Sequence, residues 1–67
     1  MALGHRGVLI KLAGVEPTTY VNNIDAEGNY TTSTETAREY TPAEGARGLR
    51  LLHKKHPDTQ FDVEVVD

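Results

Sequence analysis

The chain has 67 residues, ten acidic against seven basic side chains and a net charge of −3, so we expect one small domain over residues 1–67 rather than two. It contains no cysteine, which excludes disulfides and cysteine-ligated zinc sites. Hydrophobic residues make up 37% of the chain and occur in short patterned runs. This excludes a chain that is disordered by composition, and no run approaches the ~20 apolar residues of a membrane span.

Strands are predicted in the first half of the chain. Three stretches have the alternation and the β-branched content of strands, at residues 7–13, 18–24 and 30–33. Residues 25–29 predict a hairpin turn, in which Gly28 supplies the positive φ of a type I turn with a bulge. Residues 34–40 are ambiguous, either a bent continuation of the third strand or a short separate one, with Ala37 and Tyr40 as the residues that face inward.

A single helix is the clearest prediction of the second half. Thr41 is a good N-cap, Pro42 suits the first helical position and Glu44 completes a capping box. Pro57 ends the helix at about His56, after basic residues that favour the negative end of the helix dipole.

The helix has an apolar face and a separate basic stripe. At about 100° per residue, the apolar face carries Ala46, Leu49, Leu52 and His53, with Gly45 and His56 beside it. The basic stripe consists of Arg47, Arg50 and Lys54. Leu51 points away from the apolar face. Each of Gly45 and Gly48 costs about 1 kcal/mol relative to alanine inside a helix, so we expect the helix to approach a sheet closely at these glycines.

Residues 60–66 predict a final strand, because apolar and acidic side chains alternate along it in a half-buried pattern. The apolar positions are Phe61, Val63 and Val65, and the acidic positions are Asp62 and Glu64. The order ββ(β)αβ predicts an α+β fold in which a small antiparallel sheet of three to four strands carries one helix on one face. One helix cannot cover both faces, so we expect the far face to meet water or to serve in association. Its apolar residues are Leu9, Val21 and Val66.

The chain carries no recognisable catalytic or cofactor motif. His53 and His56 are spaced for one helix face and Asp58 follows, but no clear further ligand and no cysteine supports a metal site. The hydroxyl-rich residues 30–34 lack the glycine pattern of a nucleophile elbow, and glycine-rich nucleotide-binding motifs are also missing. We therefore expect no enzyme activity, no metal and no cofactor.

Two charged surfaces are candidate partner-binding sites. The outer face of the helix offers Arg47, Arg50, Leu51 and Lys54. An acidic surface from the hairpin turn and the last strand offers Asp25, Glu27, Asp62 and Glu64. The acidic surface could dock on a basic partner. The basic stripe could also contact phosphates, although the net negative charge and the neighbouring acids would repel a phosphate backbone.

Residues 18–67 combine a strand, the turn D-A-E-G-N, a Y-T-T strand, the segment A-R-E-Y-T-P-A-E-G-A-R and a helix that ends in H-P-D before an acidic strand. This arrangement resembles the small uncharacterised proteins encoded by bacteriophages and other mobile elements, which often have a ββαβ layout. The resemblance implies a phage-type accessory protein, such as an inhibitor of a host defence or nucleic-acid-processing protein, or a minor virion or regulatory component. It carries over no catalytic or binding residue.

These features lead to three hypotheses. The first is a non-enzymatic module that binds a host or phage protein and acts by occupying a partner surface. The second is a nucleic-acid-binding regulator that uses the basic stripe. The third is a homo-oligomeric structural component, such as a dimer or a minor virion protein, that uses the uncovered sheet face and Leu51. Residues 1–7 are not followed by a long apolar region before Lys11, as a signal peptide would require, so we expect a cytoplasmic protein of the host cell without membrane contact.

Overall fold

One helix packs on a four-stranded antiparallel sheet in the computed structural model, which describes residues 7–66. The elements in chain order are β1 (Gly7–Leu12), β2 (Tyr20–Ile24), β3 (Tyr30–Ser33), α1 (Pro42–Lys55) and β4 (Phe61–Val66). The strands are ordered β3-β2-β1-β4, and α1 lies against β1 and β2. The predicted α+β class is confirmed. Residues 1–6, where the stretch used for the signal-peptide prediction begins, lie outside the described residues. Within residues 7–66, α1 is not long and apolar enough to cross a membrane.

Both ends of α1 lie where the sequence predicts them. The Thr41 hydroxyl accepts a hydrogen bond from the Glu44 N–H at 3.1 Å, and the Glu44 carboxylate accepts one from the Thr41 N–H at 3.1 Å. Pro42 has no N–H to satisfy in the first turn. At the other end, the His56 N–H donates to the Leu52 carbonyl at 2.7 Å. These contacts fix where the helix starts and stops along the chain.

Two glycines let α1 lie close to the sheet, as the sequence predicts. A Cβ at Gly45 would collide with the side chain of Val8 in β1, and a Cβ at Gly48 would lie 2.6 Å from Cδ1 of Ile24 in β2. Because protein interiors are close-packed, an alanine at either position would force a neighbouring group to move. This close approach explains why α1 contains two residues that weaken an isolated helix.

The face of α1 that meets the sheet is rotated from the predicted apolar face. The buried helix residues are Gly45, Gly48 and Leu52, whereas Ala46 and His53 are exposed. The prediction that Ala46 and His53 face inward is therefore wrong. The physical reason is that the two backbones come closest where no side chain lies between them, so the glycines decide the rotation of the helix.

The core lies between α1 and the sheet. Its buried side chains are Ile10, Val21, Tyr40 and Leu52. Tyr40 reaches it from the segment between β3 and α1, where its hydroxyl donates to the Val21 carbonyl at 3.0 Å and its backbone pairs with that of Val8. This segment therefore contributes a single bridge residue rather than a strand. Tyr40 faces inward as predicted, but the prediction for Ala37 is wrong, because Ala37 belongs to the irregular, exposed part of the segment.

A β-bulge in β2 places Val21 and Ile24 on the same side of the sheet. The pairing with β3 shifts by one residue between Val21 and Asn23, so Asn22 is an extra residue in β2. Under strict alternation, residues three apart point to opposite faces, which is why the sequence wrongly places Val21 on the far face. The bulge lets both side chains point towards α1, and Val21 is fully buried.

Candidate partner-binding surface

β4 forms one edge of the sheet, and its outer side pairs with no strand in the described part of the chain. Val65 of β4 lies opposite Val8 of β1. The N–H and carbonyl groups of Val8 bond to Tyr40 on the other side of β1, each at 2.8 Å. Because hydrogen-bonded and non-hydrogen-bonded pairs alternate in an antiparallel ladder, the backbone groups of Phe61, Val63 and Val65 point away from the sheet.

The side chains of these β4 residues lie on the helix side of the sheet without being covered by the helix. Val63 lies opposite Ile10, which is fully buried beneath α1. Val63 itself is 43% exposed and Val65 is 60% exposed. The alternation correctly predicts the strand, but the expected half-burial of its valines is wrong, since α1 makes its main contacts with β1 and β2.

One flank of α1 faces β4 and extends this apolar area. The ring of His53 lies 6.2 Å from the ring of Phe61, measured between centroids. Ala46 and Leu49 share that flank by helical spacing. Ala46 and His53 are exposed, and Leu49 is half-buried. We define the α1–β4 surface as Ala46, Leu49, His53, Val63 and Val65. The rotation of α1 thus moves Ala46 and His53 to an uncovered side of the molecule, whereas Leu49 packs against the core as predicted.

An aromatic cluster packs the C-terminal end of α1 against the β2–β3 hairpin and against β4. Tyr30 of β3 meets His56 edge-on at 5.0 Å and Phe61 edge-on at 5.5 Å, measured between ring centroids. Nε2 of His56 lies 3.0 Å from the Gly28 carbonyl, which requires a proton on Nε2 for a hydrogen bond. His56 therefore ties the hairpin turn to the helix. Within residues 7–66, His, Asp and Glu side chains form no cluster of three or more that could hold a metal ion.

The predicted outer-face residues of α1 do not share one environment. Arg47, Arg50 and Lys54 are exposed. Leu51 is half-buried rather than outward, because the β2–β3 turn approaches this flank so closely that a Cβ at Gly28 would lie 2.8 Å from the Leu51 carbonyl. Glu27 of the same turn borders a shallow cavity with Lys54. Acidic and apolar neighbours therefore interrupt the basic stripe, and its role in binding stays a prediction.

The predicted acidic residues are divided between two places. Asp25 and Glu27 lie in the β2–β3 turn, and the turn approaches α1. Asp62 and Glu64 alternate with the valines of β4 and therefore lie on its far face, away from the helix. On that far face, Lys11 of β1 lies opposite Asp62, and its ammonium is 3.4 Å from the Glu64 carboxylate. The fold thus does not bring the four acids into one surface.

Asp25 shapes the β2–β3 turn. Its carboxylate accepts hydrogen bonds from the N–H groups of Glu27 and Asn29, both at 2.9 Å. Hydrogen bonds from Asn29, backbone first and then side chain, lower the pKa of Asp25 below its ordinary value. Gly28 has the predicted positive φ, at 91°. The carboxylate of Asp25 is therefore engaged within the turn, which gives it a structural role in addition to its charge.

Sequence reasoning misses Val63 and Val65 as candidate site residues. The available signal is the mismatch between one helix and a sheet of up to four strands, which requires some apolar area to stay uncovered. The sequence assigns that area to the far face, because it cannot show how far α1 reaches across the near face. The far face carries Leu9 and Val66 as predicted, both half-buried beside charged residues of β1 and β4.

Comparison with protein-family models, with curated proteins and with solved structures finds no match to the chain. The resemblance to small bacteriophage proteins therefore stays a prediction from the sequence.

Proposed function

We propose that the chain is a non-enzymatic protein-binding module and that the α1–β4 surface is its binding site. One observation carries the proposal: Val63 and Val65 combine exposed apolar side chains with backbone groups that point outward from a sheet edge. Natural sheet edges are usually protected by charged side chains, above all lysine, by proline or by a covering segment. β4 contains neither lysine nor proline, and its two charges, Asp62 and Glu64, are both negative, so its edge is suited to a partner chain that does not repel them.

The outward backbone groups and the exposed valine side chains of β4 would both contribute to binding a partner strand. Backbone hydrogen bonds to Phe61, Val63 and Val65 would supply directional contacts and set the register of an added strand. Burial of the exposed parts of the two valines would contribute on the order of 1–2 kcal/mol. The exposed helix residues Ala46 and His53 share the flank of α1 that faces β4 and would widen the contact.

The accessory role in a bacterial host rests on the resemblance to phage-type proteins. In this role the chain acts in the cytoplasm of the host by occupying a surface of a host or phage protein. A nucleic-acid-binding regulator has less support. Glu27 borders Lys54 and Glu44 borders Arg47 in shallow cavities beside the basic stripe, and acids at these places weaken attraction to phosphates.

Affinity capture from lysates of bacterial hosts tests the proposal. Val65→Lys introduces a charge into the α1–β4 surface, and lysine is a natural blocker of sheet edges. Val15→Lys is the matched control, because Val15 is 42% exposed in the loop after β1. We expect wild type and Val15→Lys to retain a stoichiometric partner that Val65→Lys loses. A partner that Val65→Lys also retains, or no stoichiometric partner from any host, would contradict the proposal.

A further inference from the structure

We propose that the occupant of the β4 edge is an extended partner segment in which apolar and basic side chains alternate. The inference rests on the proposed function and names the chemistry of its partner. It is carried by the difference between the two faces of β4, together with the charges on the neighbouring strand.

The two faces of β4 select different side chains. The helix side presents Val63 and Val65, and the far side presents Asp62 and Glu64, all of them exposed. A strand that adds to β4 places its own side chains beside these residues, alternately on one face and the other. The best occupant therefore carries apolar side chains beside the valines and lysine or arginine beside the acids.

β1 already pairs with β4 from the inner side and follows this pattern at Ile10, opposite Val63, and at Lys11, opposite Asp62. Opposite Glu64 it places the apolar Leu9, so Glu64 has no base directly across the ladder. The Lys11 ammonium is 3.4 Å from the Glu64 carboxylate, and Lys11 is the one base of β1 beside the two acids. The far face of β4 keeps an excess of negative charge, which a base on the outer side would neutralise.

A second copy of the chain fits the edge less well. Two β4 strands that match apolar with apolar side chains about a two-fold axis overlap most, over five residues, when the axis passes through Val63 or through Glu64. The first arrangement places Asp62 opposite Glu64 of the second copy, and the second places the two Glu64 residues opposite each other. Like charges directly opposite each other destabilise a strand pair. Charge therefore favours a basic segment of another protein over self-pairing.

A titration of the isotope-labelled protein with synthetic peptides tests the inference through its backbone amide chemical shifts. Peptides of six residues match the length of β4. In three of the peptides valine alternates with lysine, with glutamate or with threonine. A fourth peptide has the same composition as the lysine peptide, but its lysines are consecutive. We expect the alternating lysine peptide to shift the amides of Phe61, Val63 and Val65. It should bind about tenfold more tightly than the glutamate peptide, and added salt should reduce this preference.

A pair of glutamine variants separates local charge from the charge of the whole chain. Glu64→Gln removes a carboxylate from the far face of β4, and its surface ion pair with Lys11 contributes little to folding. Glu35→Gln makes the same change in the exposed loop after β3. We expect Glu64→Gln to reduce the preference for the lysine peptide severalfold and Glu35→Gln to leave it unchanged.

Each contrary outcome overturns a distinct part of the account. Equal affinity for the lysine, glutamate and threonine peptides would overturn the basic preference and leave the edge as a binding site. Equal affinity for the alternating and the consecutive-lysine peptides would mean that the preference for lysine is a general electrostatic attraction and does not depend on alternation. If no peptide changed the amide chemical shifts of β4, strand addition at this edge would be overturned. The proposed binding of a protein would still be tested separately, by capture from lysates. If the protein without peptide had twice the monomer mass and changed amide chemical shifts in β4, the occupant would be a second copy of the chain.

Discussion

Val63 and Ile10 lie directly opposite each other in the β1–β4 ladder, yet Ile10 is fully buried and Val63 is 43% exposed. The two side chains share one face of the sheet and differ in the strand that carries them. α1 covers β1 because Gly45 and Gly48 let it approach β1 and β2 closely. The same approach leaves β4 uncovered, so the packing of the helix creates the surface that we propose as the binding site.

Gly45→Ala is expected to lower the free energy of unfolding by about 1–2 kcal/mol, even though alanine favours an isolated helix by about 1 kcal/mol. The added methyl group would collide with Val8, whose β-branched side chain is stiff. Gly48→Ala is expected to cost less, since its obstacle is the flexible end of Ile24. Urea unfolding of the two variants measures both changes.

The Val8→Ala background provides the control for this prediction. There the collision partner is removed, so Gly45→Ala should cost less than it does in wild type, and the two substitutions should not be additive. A Gly45→Ala variant that is more stable than wild type would show that the helix does not depend on this close approach.

Thr41→Ala is expected to destabilise the protein by about 1 kcal/mol, because the Glu44 N–H loses the acceptor that lies 3.1 Å from it. Thr41→Ser keeps the hydroxyl and should retain most of the stability. For a domain of this size the alanine variant should unfold about 4–8 °C lower, as measured by thermal unfolding. Equal melting temperatures for the alanine and serine variants would mean that the capping box contributes nothing measurable.

Tyr40 is expected to make stability depend on alkaline pH. Burial raises the pKa of Tyr40 above its ordinary value of 10.0, so the unfolded chain loses this proton first. The stability contributed by neutral Tyr40 is complete below the unfolded pKa and is lost as the pH rises through the raised pKa of the folded protein. Urea midpoints measured upward from neutral pH should therefore fall more steeply above pH 10.0 for wild type than for Tyr40→Phe.

Tyr40→Phe should itself cost about 1 kcal/mol near neutral pH, since the buried Val21 carbonyl loses the hydroxyl that donates to it at 3.0 Å. Tyr20→Phe is the control, because it removes a tyrosine hydroxyl from a side chain that is only half-buried. If both variants flattened the alkaline profile equally, Tyr40 would not be its source.

The parts of the fold that depend on local chemistry could be predicted from the sequence. The capping box at Thr41 and Glu44 and the turn at Gly28 are decided by neighbouring residues, and both form as expected. The face of Val21 could not be predicted, because a single bulge residue reverses the alternation of β2. The rotation of α1 follows from contacts between residues that are distant in sequence.

The candidate site could be predicted only in part for the same reason. Val63 and Val65 are recognisable as apolar strand positions, but their exposure depends on how far a helix elsewhere in the chain extends. The four predicted acids share a charge without sharing a surface, since Asp62 and Asp25 lie on elements that the fold separates. Charge counts along a sequence do not contain that information.

Amide hydrogen exchange along β4, measured by NMR with and without the alternating lysine peptide, shows whether this edge of the sheet is open and accepts a strand. In the dilute chain alone, the N–H groups of Phe61, Val63 and Val65 should exchange rapidly, while those of Asp62 and Glu64 are protected by β1. The peptide should slow exchange at the first three positions and leave the other two unchanged. Protection of all five amides in the chain alone, or no change at the first three with the peptide bound, would contradict an open edge that accepts a partner strand.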